Sequence, residues 1–205
     1  MLRELSRVEV SERVTAEEFF KYAPDDKKAE LIDGVMIVSP PPLDAHERVQ
    51  GFLYTLLRMF VEIFDLGEVR GSRTAVMLTE GHIFEPDILF IARDRLDIIE
   101  ERGMKGAPDL VIEILSASTA ERDRGVKFHT YERAGVRELW LIDPYGPAGT
   151  EFYQRQGDIF KPVMPDAAGV VQALALPGFK LNTNWLWPAE KFIPVRQALQ
   201  EMGAD

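Results

Sequence analysis

The stretch Asp109–Ser116, DLVIEILS, constrains this chain more than any other segment. A near-continuous apolar run of this length predicts a central strand buried on both faces. Glu113 sits in its middle. Two more acids keep similar company: Glu30 in AELIDG and Asp87 in EPDILF, each in or beside a short β-prone apolar run. A carboxylate carried into such surroundings is costly unless something compensates it, and the two ready compensators are a divalent metal ion and a lysine or arginine. A workable fold must therefore bring a positive charge to these strands.

The remaining pattern supplies a frame for them. Thr15-Ala16-Glu17-Glu18 is a capping box that opens a short helix, closed by Pro24-Asp25-Asp26. AELI and VMIV, joined by Asp33-Gly34, predict a hairpin with a type I′ turn. Asp44 is placed to cap a long helix carrying Val49, Phe52, Leu53, Leu56, Leu57, Phe60 and Phe64 at helical spacing, with Gly67 as its stop. EVRGSRTAVMLT and PDILFIA predict strands separated by a turn at Gly81, and RDRLDIIEERGMKGAP a polar connection with one helical turn. After DLVIEILS, Ser118 or Thr119 caps a helix that ends at Gly135, and ELWLID forms the next strand. A second hairpin, TEFYQRQ-GD-IFKPVM, a strand in VVQALALPGFKL and the tryptophans of NWLWP follow, with QEMGAD as a fraying tail. The order predicts an α/β (α+β) fold: a central mixed sheet flanked by helices, with a C-terminal β extension. We read residues 1–205 as one domain, with a core over 15–145 and the extension over 150–187.

Composition narrows the class. No apolar run approaches the ~20 residues of a membrane span, and the first fourteen residues mix both signs of charge without the apolar core of a signal peptide. The absence of cysteine excludes disulfides and thiolate metal sites, and fits a cytoplasmic protein. With 34 acidic against 24 basic residues, the net charge of −10 opposes non-specific attraction to nucleic acid. No phosphate-binding glycine loop and no nucleophile-elbow serine occur, and His82 and His129 have no partner at metal-ligand spacing.

Chemistry concentrates on four residues: Glu30, Asp87, Glu113 and Lys127. If the strands of Asp87 and Glu113 are neighbours, their carboxylates converge on one ion such as Mg²⁺, which takes one or two carboxylates and fills its other positions with water and substrate phosphate. Glu30 adds a third oxygen. Lys127, about two turns into the next helix, can reach back to orient an attacking water or to neutralise a phosphate. This is the outline of a metal-dependent phosphodiesterase. Plainer readings stand beside it. Pro-Asp is common at turns, Glu30 precedes a hairpin turn where a solvated residue is ordinary, and Lys127 with Asp123 makes an i,i+4 pair of the usual surface kind. His46 could contact a substrate phosphate, with a capping or surface role as the plainer account. Only Glu113 resists a plain reading.

ELIDG, SPPP with the following His46, PDILF, GAPDLVIEILSAST, RDRGVKFHTYERAGVRELWLIDP and LPGFKL together resemble the Uma-type restriction-endonuclease family of the PD-(D/E)XK nuclease superfamily, over roughly residues 15–182. The resemblance implies a restriction-endonuclease-like core and a Mg²⁺- or Mn²⁺-dependent endonuclease acting on DNA. It makes Asp87 and Glu113 metal ligands, Glu30 the acid of the first core element, and the Ile114 carbonyl a further ligand. The sequence departs from the pattern at Leu115, where the ExK lysine would stand, and Lys127 on the following helix is in place to supply it. Cutting both strands of a duplex calls for two sites, so a homodimer is expected, with the β extension as its candidate interface. The alternative is a catalytically inactive nuclease-fold protein that binds DNA or another partner, in which Lys127 or an arginine compensates Glu113 without metal.

Overall fold

The computed structural model describes residues 13–204; the charge-mixed N-terminal stretch falls mostly outside them, as does Asp205. Helix α1 (Ala16–Tyr22) is opened by the expected reciprocal cap, in which the Glu18 N–H donates to Thr15 Oγ1 at 3.2 Å and the Thr15 N–H donates to Glu18 Oε2 at 2.9 Å. Strands β1 (Ala29–Ile32) and β2 (Val35–Val38) form the expected hairpin, with positive φ at Asp33 (51°) and Gly34 (78°).

Helix α2 (Asp44–Phe64) differs from expectation at both ends. Leu43 is its N-cap, so Asp44 lies inside the first turn, where its charge complements the helix dipole. It ends at Asp65, whose left-handed φ of 53° is a conformation that aspartate tolerates. Gly67 instead begins β3 (Gly67–Gly71), where a Cβ would collide with the Ile91 carbonyl of the neighbouring strand.

The stretch expected as one strand over 68–79 is two strands in different sheets. The chain leaves β3, turns through Arg73 (φ 78°), and enters β4 (Val76–Thr79). A short β5 (His82–Phe84) precedes β6 (Ile88–Ala92). The polar connection contains a 3₁₀ helix (Arg93–Ile98), β7 (Ile99–Glu100) and β8 (Gly103–Lys105). The apolar run becomes β9 (Leu110–Ile114), followed by one turn of helix α3 (Ala120–Arg122), a kinked turn (Asp123–Lys127), helix α4 (Phe128–Ala134) and β10 (Glu138–Ile142). Then come β11 (Glu151–Gln156), β12 (Ile159–Val163), β13 (Val170–Gln172), β14 (Lys180–Asn182) and helix α5 (Val195–Glu201).

Two six-stranded mixed sheets result, ordered β2-β1-β5-β4-β8-β7 and β12-β11-β10-β9-β6-β3, with β13-β14 as a separate pair. In the second sheet β9 runs parallel to β10 and antiparallel to β6, with Ile88 opposite Ile112. Alternation along β9 divides two cores. Leu110, Ile112 and Ile114 pack with α2, Trp140, Phe179 and the C-terminal elements. Val111 and Leu115 pack on the other face with Tyr131 and Val136 and with Ile32 and Phe84 of the first sheet. Glu113 shares that second face by parity, and α4 covers it. The expected tail is largely ordered: helix α5 runs on to Glu201, Met202 packs against the α2 core and Ala204 is buried in it. Among the described residues, no helix is long and apolar enough to cross a membrane.

Not every buried carboxylate joins the site. Glu138 receives four donors: Trp140 Nε1 at 2.9 Å, Gln154 Nε2 at 3.2 Å, and the Leu174 and Ala175 N–H groups at 2.7 and 2.8 Å. Burial still pushes its pKa up. Glu138→Ala leaves these donors unanswered and should cost about 3 kcal/mol, a Tm loss of roughly 6–12 °C by thermal unfolding.

Candidate active site

The acids and bases singled out from the sequence meet where the two sheets face each other under α4. Asp87 immediately precedes β6, one step beyond the Ile88–Ile112 pairing, so it lies beside Glu113 and Ile114. The Ile114 N–H donates to Asp87 Oδ2 at 2.8 Å, and His46 Nε2 lies 3.2 Å from the same oxygen. His46 is thus neither a cap nor a surface residue: the first turn of α2 aims its ring at Asp87, and it is buried. Gln50, one turn along, donates to the Asp87 carbonyl at 3.1 Å.

Glu30, on β1 of the first sheet, is drawn in by Lys127. The Lys127 ammonium lies 2.8 Å from Glu30 Oε1, 2.7 Å from Glu113 Oε1 and 3.1 Å from Asp123 Oδ1. With 2% of its side chain exposed, the Lys127–Asp123 pair is not the surface pair its spacing allowed. The kinked turn, where Gly125 departs from helical angles (φ −102°, ψ −106°), presents both residues inward. One turn further on, Tyr131 Oη donates to Glu113 Oε1 at 2.6 Å.

The electrostatics follow from this packing. Burial would raise Glu30, but Lys127 and Lys28 outweigh it and hold the carboxyl below its usual value. Asp87 is likewise held well below the carboxylate range, with Lys28 and His46 overcoming burial. Glu113 goes the other way. Burial, with Asp123 and Asp87 nearby, pushes it up to about 8 despite Lys127 and Lys28. Lys127 is raised well above the ordinary lysine value because Glu113 and Glu30 more than offset its burial.

Among the described residues, no three His, Asp or Glu side chains converge as a ready-made metal centre, because ammonium groups sit on the acids. The residues nevertheless fit a hard divalent cation. The donors are carboxylate oxygens, which such ions prefer. With every group ionised, the five carboxylates of Glu30, Glu85, Asp87, Glu113 and Asp123 exceed the three positive charges of Lys28, Arg73 and Lys127 by two.

The family model described as "Uma2: Putative restriction endonuclease" matches residues 16–184. The chain belongs to the Uma2 family. A crystal structure from Anabaena variabilis ATCC 29413, described as "a putative nuclease belonging to DUF820", superposes with a TM-score of 0.64. It shares 20% identity, over 92% of this chain and 99% of that one, so the likeness speaks to the fold. No curated protein matches.

Several members of the cluster in this Uma2 protein escaped the sequence reading. Lys28 Nζ lies 2.8 Å from Asp87 Oδ1. Glu85 accepts from the Ala29 N–H at 3.3 Å, while its own N–H donates to Glu30 Oε1 at 3.1 Å. Arg73 Nε stands 3.6 Å from Glu85, and its Nη2 donates to the Asp25 carbonyl at 2.6 Å. For Lys28, and for Tyr131, which was also missed, the signal was spacing. Lys28 precedes Glu30 by two residues, hence shares its face in extended chain, and Asp123, Lys127 and Tyr131 follow one another at intervals of four. Leu115, where the ExK lysine would stand, is buried in the second core.

Because burial pushes Glu113 up to about 8 in the fold from its ordinary value of 4.5 in the unfolded chain, the folded state holds a proton that the unfolded chain gives up between those values. Its contribution to stability therefore declines as pH rises through that window. Metal-free Glu113→Gln should gain on wild type by at least about 2–4 °C in Tm between about pH 5.5 and about pH 8.5. A constant difference between the two melting curves would contradict this.

Proposed function

We propose that this protein is a metal-dependent endonuclease that hydrolyses DNA phosphodiester bonds. The observation carrying the reading is the convergence of Asp87, Glu113, Glu30 and Lys127, from two sheets and a helix, at one buried site in a chain of the Uma2 family. Asp87, Glu113, Glu30 and the Ile114 carbonyl would hold Mg²⁺ or Mn²⁺. Such an ion lowers the pKa of a bound water and offsets charge on the reacting phosphate.

The chain's own groups do the rest. Lys127, held protonated by its carboxylate neighbours, is a fixed positive charge and not a proton acceptor. It keeps Glu30 and Glu113 in position and supplies charge where negative charge develops. Tyr131 fixes the Glu113 rotamer through Oε1. Both donors to Glu113 among the described residues meet Oε1, which leaves Oε2 for a cation. His46 and the Ile114 N–H orient Asp87. Cutting both strands of a duplex makes a homodimer part of the proposal.

A second reading has its own observation. The Lys127 ammonium lies 2.7 Å from Glu113 Oε1 with 2% of each side chain exposed, a buried contact that compensates the acid without metal, as expected of a nuclease-fold protein that binds a partner without catalysis.

Metal binding and cleavage separate the two. With Mn²⁺ at about ten times its Kd, the wild-type Tm should rise by roughly 2–4 °C, and Asp87→Ala should abolish the rise. Duplex DNA incubated with Mg²⁺ or Mn²⁺ should be cut by wild type but not by folded Asp87→Ala or Glu113→Ala. Wild-type cleavage by both variants would sink the site assignment. Neither a shift nor cleavage in wild type would favour the second reading.

A further inference from the structure

The two site lysines are held differently. Lys127 is sealed among three carboxylates. Among the described residues, Lys28 touches one, Asp87, and keeps 21% of its side chain exposed. Asp87 divides its contacts between its oxygens. Oδ2 takes the Ile114 N–H and faces His46 Nε2, both on elements packed into the α2 core. Oδ1 takes only the Lys28 ammonium among the described residues, at 2.8 Å.

We infer that Lys28 is a resident stand-in for the cation: its ammonium occupies the metal-facing oxygen of Asp87 and must leave before Asp87 can bind a divalent ion. Three features support this. Oδ1 is the Asp87 oxygen not engaged by backbone or helix. Of the two site lysines, Lys28 is the one with a part-exposed side chain, and its flexible four-carbon stem lets it withdraw without unfolding a strand. Its charge also keeps the buried Asp87 compensated when no metal is present. The apparent metal affinity is then the intrinsic affinity reduced by the fraction of molecules in which Lys28 has moved aside. The site is thereby set to fill only above a threshold of metal concentration. This inference rests on the metal-dependent reading above.

Mn²⁺ binding to the full chain, followed by calorimetry and by the paramagnetic signal of free Mn²⁺, tests it without any need for substrate. Lys28→Met and Lys28→Gln should bind Mn²⁺ at least about tenfold more tightly than wild type, whereas Lys28→Arg should stay near wild type. Lys27→Met, which removes an exposed neighbouring charge, should change affinity by less than about twofold. Amine acylation with mass-spectrometric readout gives a measure on the unaltered protein, in which labelling of Lys28 should rise when Mn²⁺ is added. Unchanged labelling would overturn the inference. So would Asp87-dependent binding in wild type that neither neutral variant tightens, and that result would leave the metal reading standing. Equal tightening by Lys27→Met would also overturn it, in favour of a general field effect. No Mn²⁺ binding by wild type or any Lys28 variant would remove the metal reading itself, and the inference with it.

Discussion

The burial of the Lys127 ammonium is the constraint around which the rest is arranged. A positive charge this deep is tolerable only with carboxylates close by, and removing one partner of such a group typically costs about 3–5 kcal/mol. The partners come from three places: Glu30 from the first sheet, Glu113 from the second, and Asp123 from the turn that carries the lysine. The ammonium therefore joins the sheets as well as furnishing a site. Lys28 and Asp87 make a second bridge of the same kind, from the residue before β1 to the residue before β6. Between these bridges, the Glu85–Pro86–Asp87 segment links β5 of one sheet to β6 of the other.

Much of the frame was legible because it rested on strong local signals. The capping box, the Asp-Gly hairpin, the apolar run of β9 and the glycine after α4 each fix backbone geometry within a few residues. What escaped was what tertiary pairing decides. β5, β7 and β8 span only two or three residues each and exist because neighbouring strands complete their ladders. The split between β3 and β4 turns on Arg73 adopting a left-handed conformation, which its residue type does not announce.

The site was legible in its acids and less so in its bases. Glu113 stood out because an acid inside LVI-E-IL has no ordinary explanation. Lys28 did not, since a lysine in a charged loop is the least informative of residues until the partner strand is known. Leu115 explains how the lysine can change places. Just past β9 it shares a face with Glu113, and α4 packs over that face, so a side chain from the helix reaches the same volume that one from the strand would fill. The strand position is then free to serve the core.

The kinked turn that presents Asp123 and Lys127 makes the length of this segment matter as much as its composition. Two helical stretches meet there at Gly125, whose angles are not helical. Loss of Gly125 would let the helix close up, rotating the preceding residues by roughly 100° relative to α4 and carrying Asp123 away from the carboxylates of both sheets. In most helices with one exposed face, a lost residue is absorbed at a fraying end. Here the phase of the helix is pinned on one side by Tyr131 and Lys127 and on the other by the short run from β9, so a change of reading length by a single codon is the kind of change this site is least able to absorb.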